Sequence, residues 1–168
     1  PVPLSALVGD HIIRPSGNMP WYEGPALLPI LETVDAGKEG NSPLRLPVQY
    51  VIRPNQDFRG YAGRIAGGVL KQGQAVKILP SGKTSSIKTI AIGDAQMQAA
   101  ATGLSVTVTL DGEHDISRGD MITDAESPAE TADQFRAKLI WMDDRPMLPG
   151  RAYIFRTETA SLTATLAK

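Results

Sequence analysis

The chain contains no cysteine in 168 residues, so disulfide frameworks, thiolate metal sites and cysteine nucleophiles are excluded together. That absence fits a cytoplasmic protein. Aromatic residues make up only 5% of the chain, with three Phe and two Trp. No apolar run approaches the roughly 18 residues of a membrane-spanning helix, and no basic head with an apolar stretch follows Pro1, so neither spanning nor secretion is expected. Net charge is also small, at −1. Against these shortages stand 16 Gly and 13 Pro, which predict many turns joining short strands. With 42% hydrophobic and 21% charged residues the chain is expected to fold rather than stay disordered.

The small net charge conceals a strong internal asymmetry. Residues 45–88 carry Arg45, Arg53, Arg59, Arg64, Lys71, Lys77, Lys83 and Lys88 against the single acid Asp57, whereas residues 89–133 carry nine acids and only Arg118. If both stretches share one β domain, the expectation is a neutral surface built from pairs of opposite sign, with a polyanion-binding face as the sharper alternative.

Periodicity divides the chain. From Gly24 to Val34 the apolar positions Leu27, Leu31 and Val34 have helical spacing, with Pro25 in the first turn and Pro29 expected to kink the helix unless it starts later. Asp35 to Pro43 reads as a linker. Beyond it the period becomes two. Val48, Tyr50 and Ile52 alternate with Gln49, Val51 and Arg53, Val76 and Ile78 flank Lys77, and Leu104, Val106, Val108 and Leu110 alternate with Ser and Thr. With Arg59–Gly67, Ser85–Ile92 and Arg118–Thr123 these make about six strands, which suggests a small closed or nearly closed barrel. After an acidic connector, Asp124 to Asp133, strand-like stretches recur at 137–142, 150–157 and 161–167. Three strands leave unpaired edges, which reads as a second barrel cut short.

Motifs for self-contained catalysis fail one by one. Gly82-Lys83-Thr84 resembles the end of a phosphate-binding loop, but the required earlier glycine falls on Lys77 and the context is strand–turn–strand, so a hairpin turn is expected. Asp111-Gly112-Glu113-His114-Asp115 could ligate a metal in principle, yet reads as a solvated loop. Asp10 and His11, as neighbours on a strand, would face opposite ways. Asp143-Asp144-Arg145-Pro146 reads as a turn with local charge pairing.

A family resemblance rests on ordered motifs. Arg53-Pro54-Asn55-Gln56-Asp57-Phe58-Arg59-Gly60-Tyr61-Ala62-Gly63-Arg64-Ile65 followed by Gly68-Val69-Leu70-Lys71-Gln72-Gly73 resembles the second domain of translation-type GTPases such as elongation factor Tu. Met19-Pro20-Trp21-Tyr22-Glu23-Gly24-Pro25, Leu31-Glu32-Thr33-Val34, Asp115-Ile116-Ser117-Arg118-Gly119-Asp120, Trp141-Met142 and Pro149-Gly150-Arg151 are similar to the large GTPase subunit family of bacterial sulfate adenylyltransferase (ATP sulfurylase). The resemblance implies a mostly β fold: residues 1–43 as the end of a GTPase domain plus linker, 44–128 as the domain 2 β-barrel, and 129–168 as a truncated domain 3 β-barrel. It implies a parent enzyme that uses GTP and Mg and couples GTP hydrolysis to adenylylsulfate synthesis from ATP and sulfate. In that parent a small catalytic subunit is the partner, and an adenylylsulfate kinase is fused or associated. Ser5, Ala6 and Leu7 are similar to the loop whose backbone touches the guanine base.

No residue of the chain is expected to be catalytic, and none of the family's phosphate-binding loop, D-x-x-G switch or N-K-x-D base-reading motif is expected in it, so the isolated chain is expected to be inactive. Arg53, Asp57, Phe58 and Arg59 are the candidate partner surface, since Arg and an aromatic residue close together on a turn make interface anchors. The competing expectation there is internal pairing of Arg59 with Asp57. The alternative function is an RNA- or ribosome-binding barrel module, motivated by the basic stretch with Tyr50, Phe58 and Tyr61, although the following acidic stretch makes nucleic acid an unfavourable partner.

Overall fold

A computed structural model describes residues 2–34 and 42–167. The linker expected at Asp35 to Pro43 lies, up to residue 41, outside the described residues. The chain forms two compact units, Pro1–Lys38 and Glu39–Lys168.

The first unit has one helix, α1 (Leu27–Thr33). Pro29 is its third residue, where a backbone N–H would have no partner within the helix, so the expected kink does not arise. The first two helical N–H groups are taken instead by carbonyls of an earlier turn, Leu27 by His11 at 2.9 Å and Leu28 by Ile12 at 2.8 Å. The helical spacing of Leu27, Leu31 and Val34 is real, but Leu31 and Val34 are exposed in this unit. Asp10 and His11 are not strand neighbours: Asp10 closes a tight turn by bridging Ser5, and His11 has a positive φ of 55°.

The second unit begins with β1 (Arg45–Pro47), β2 (Tyr50–Ile52), β3 (Gly60–Arg64), β4 (Val69–Lys71), β5 (Ala75–Leu79) and β6 (Thr84–Ile92). It continues with β7 (Ala95–Met97), β8 (Ala99–Ala101), β9 (Ser105–Leu110) and β10 (Met121–Asp124), then β11 (Ala152–Arg156) and β12 (Ser161–Thr165). All pairings are antiparallel, in the order β1-β10-β5-β6-β9-β3-β2. This order ends where it began, because β1 and β2 are separated only by Val48 and Gln49. At that junction the chain changes partner: Val48 N–H donates to Asp120 O at 2.8 Å, and Gln49 N–H donates to Ala62 O at 2.8 Å. A bridge between Arg45 and Gly67 completes the closure into a small barrel.

The change of partner inverts the expected faces. Leu44, Leu46 and Val48 are buried in alternation, but Tyr50 is 66% exposed and Val51 packs against the core instead. One extra residue at a junction is enough to flip the side chains that follow. Elsewhere the alternation holds, with Val76, Ile78, Val106, Val108 and Leu110 buried. Leu104 is partly exposed in the turn before β9. Gly63 lies where β3 crosses β1, and a Cβ there would collide with Pro47 O. The pair β4–β8 flanks the barrel and β7 extends β6.

Two other expectations are corrected. Residues 137–142 form no strand: Trp141 donates from Nε1 to Arg145 O at 2.6 Å, and its ring packs edge-on against Tyr153. Among the described residues β11 and β12 pair with each other alone, as a hairpin. The opposite charges of the middle stretches interleave through the strand order but do not form ion pairs. Among the described residues the ion pair found is Arg145–Asp143, at 3.1 Å, as the local reading of that turn anticipated. The barrel arginines bind carbonyls instead: Arg45 reaches Ser127 O, Arg64 reaches Gly103 O, and Arg118 reaches Gln49 O.

Candidate functional site

Two places carry the residues singled out by the sequence, one in each unit. In the first unit Ser5, Ala6 and Leu7 form the rising side of a turn closed by two backbone bonds, Ser5 N–H to Asp10 O at 3.1 Å and Gly9 N–H to Ser5 O at 2.9 Å. Gly9 has a φ of +81°, which lets the chain reverse there. Leu7 is 94% exposed, so the tip presents backbone and an unburied side chain. The base of the turn is fixed by the Asp10 carboxylate, which accepts from Ser16 Oγ at 2.5 Å and from Asn18 Nδ2 at 3.1 Å. Those donors hold its carboxyl below the usual carboxylate range.

In the second unit the loop from Arg53 to Arg59 joins β2 to β3. Pro54-Asn55 starts it with an Asx turn, in which Asn55 Oδ1 accepts the N–H groups of Asp57 at 3.0 Å and Phe58 at 2.9 Å. The turn is thereby rigid without burying the side chains: Arg53 and Asp57 are exposed and Phe58 is 38% exposed. Arg59 does not pair with Asp57. Its Nη1 donates to His114 O at 2.7 Å, and the Tyr61 hydroxyl donates to the same carbonyl at 2.9 Å. Tyr61 is the largest buried side chain of the barrel, and burial pushes its phenol pKa up. Arg59 thus ties the 53–59 loop to the acidic 111–115 loop, a connection that no local pattern announces because it runs through a carbonyl.

The acidic loop is engaged by protein donors. The Asp111 carboxylate accepts from Ser86 Oγ, its carbonyl accepts from Ser85 Oγ at 2.8 Å, and His114 Nε2 lies 2.9 Å from the same carbonyl. Among the described residues no group of three or more His, Asp or Glu side chains could hold a metal ion. Gly82-Lys83-Thr84 is the β5–β6 hairpin turn, with Ile78 N–H donating to Lys83 O and Gly82 at a φ of +74°. One stretch does spell D-x-x-G, Asp57-Phe58-Arg59-Gly60, but it enters β3 of the barrel. Among the described residues, then, neither the 82–84 turn nor the 57–60 stretch has the loop-before-helix setting that cradles nucleotide phosphates.

No family model matches the chain. It is 49% identical over 166 residues to the bifunctional enzyme NodQ of Rhizobium tropici, covering 98% of this chain and 26% of that protein. It is also 49% identical over 153 residues to sulfate adenylyltransferase subunit 1 of Vibrio campbellii, covering 90% of this chain and 32% of the relative. The chain thus spans about a quarter to a third of the length of these relatives. Among solved structures, translation elongation factor SelB of Methanococcus maripaludis in complex with a GTP analogue superposes with a TM-score of 0.69 at 19% identity, covering 82% of this chain and 31% of SelB. Sup35 complexed with GMPPNP gives a TM-score of 0.59 at 21% identity, covering 99% of this chain and 42% of Sup35. Over 90% or more of its own length the chain is thus homologous to one stretch of sulfate adenylyltransferase subunit 1 and of NodQ, and its fold is that of the translation-factor GTPases.

Proposed function

We propose that the chain is the part of a sulfate adenylyltransferase GTPase subunit that links nucleotide state to the partner subunit. The carrying observation is the 49% identity to such a subunit over 90% of this chain. In this reading residues 1–43 end a GTPase domain, 44–128 are domain 2, and 129–168 open domain 3. The parent couples GTP hydrolysis to formation of adenylylsulfate from ATP and sulfate, a reaction uphill enough to require coupling through conformational states. Its Mg and GTP phosphates are held by residues outside this stretch, and Ser5–Leu7 supply backbone contacts to the guanine base. The chain alone is inactive. A small catalytic subunit is the partner, and an adenylylsulfate kinase is fused to or associated with the parent.

The Arg53–Arg59 loop suits the partner surface because its Asx turn pre-orders exposed Arg53 and Phe58, which lowers the entropy lost on docking. Arg59 is the loop's internal anchor. Titration of the small adenylyltransferase subunit with the chain tests this: Arg53→Ala and Phe58→Ala are expected to weaken association about tenfold with unchanged melting temperature. Unchanged affinity in both variants would remove the loop from the interface.

A further inference from the structure

His11 and Ala26 are the buried residues among the described residues of the first unit, and His11 is fully buried. Its backbone has a φ of +55°, a region that a residue with a Cβ enters at a cost and that Asn tolerates best. Its Nδ1 accepts the Ser16 N–H at 3.4 Å, which places the ring proton of the neutral form on Nε2. Nε2 is buried with no hydrogen-bond partner among the described residues, and the ring packs edge-on against Tyr22 at 5.2 Å. The carbonyl of His11 accepts the Leu27 N–H of α1, while the preceding carbonyl, that of Asp10, accepts the Ser5 N–H. One residue with an uncommon backbone and an unpaired buried nitrogen thus joins three pieces: the Ser5–Asp10 turn, the 16–18 turn and the start of α1. Strain and an unsatisfied polar atom at one position are features that persist where the surroundings over-determine them for a purpose.

We propose that His11 is a positioning residue for the Ser5–Leu7 turn, holding its backbone in the conformation that meets a guanine base. The proposal rests on the reading of Ser5–Leu7 as the base loop. The tip of that turn is exposed, so its order comes from below, through Asp10 and His11. Replacing the ring while keeping an acceptor near Nδ1 preserves the arrangement; removing the acceptor releases Ser16 and loosens the turn.

The test has two arms. In the 168-residue chain, amide exchange at Ser5 and Gly9 is measured for His11→Phe and His11→Asn. His11→Phe is expected to speed exchange at least about tenfold, the loss of one net hydrogen bond, and His11→Asn to leave it near the parent value. Unchanged exchange in His11→Phe, or equal acceleration in both variants, overturns the proposal. In a full-length subunit 1 carrying this segment, the preference for GTP over ATP is measured for the same variants and for Ala6→Pro, which removes a backbone N–H from the turn. The preference is expected to fall about tenfold in His11→Phe and Ala6→Pro and to be retained in His11→Asn. A fall in Ala6→Pro alone overturns the role of His11 and leaves the base loop standing. No change in Ala6→Pro overturns the base-loop reading and the proposal with it.

Discussion

Asp124 shows how much a single carboxylate organises at the end of the barrel. It accepts from Gln74 Nε2 at 2.8 Å and from the N–H groups of Glu126 at 2.9 Å and Ser127 at 3.2 Å. Burial alone would raise its pKa, but these donors and nearby Arg45 together hold it below the usual carboxylate range. A depressed folded-state pKa stabilises the fold above the unfolded value near 3.9, and that contribution is lost as pH falls through the folded value. Asn cannot substitute cleanly, because Gln74 Oε1 is already committed to the Lys71 N–H and cannot turn to accept from a new amide. Asp124→Asn is expected to cost about 1 to 2 kcal/mol at pH 7 in urea melts. The gap from the parent should narrow as pH is lowered from 5 toward 2. A gap independent of pH would show that the charge plays no part. Arg59 makes a second prediction at this scale. Arg59→Ala frees a carbonyl that Tyr61 still occupies, so a loss of only about 1 kcal/mol is expected. Arg59→Ala matching the parent in urea would remove the link between the two loops.

At the scale of elements, barrel closure depends on the place where β1 and β3 meet. Gly63→Ala would push a methyl into Pro47 O, with Leu46 Cδ1 3.1 Å away, and backbone cannot yield as a side chain can. The expected cost is about 3 kcal/mol. Gly73→Ala is the control: it has a φ of +78° and nothing within 4 Å, so only the backbone term of about 1 to 2 kcal/mol applies. Similar melting temperatures for the two variants would contradict the tight crossing. The strands β5 and β9 were legible because their apolar residues alternate without interruption. The inverted face at Tyr50 was not, since it follows from a switch of pairing partner between Val48 and Gln49 that only distant strands impose. The short β7, Ala-Gln-Met, and β8, three Ala, are too brief to carry an apolar–polar alternation that can be read. The Asx turn at Pro54-Asn55 has a turn signature in sequence, whereas the roles of His11 and the His114 carbonyl arise from backbone positions set far away in the chain.

Across the whole molecule, apolar surface is left open in each unit taken by itself. Leu31 and Val34 of α1 are exposed in the first, and Ile154 is 72% exposed on β11 in the second. Such open faces are what the proposed role as one stretch of a larger GTPase subunit requires, the relatives being roughly three to four times as long as this chain. The most direct measurement exchanges this chain for the corresponding stretch of the Vibrio campbellii subunit 1 and follows GTP-dependent adenylylsulfate synthesis with the small subunit. Synthesis stimulated by GTP to within about tenfold of the parent is the predicted result, since the exchanged region keeps its barrel and the proposed base turn and partner loop. A chimera that folds, binds GTP and associates with the small subunit, yet makes adenylylsulfate no faster with GTP than without it, would contradict the account.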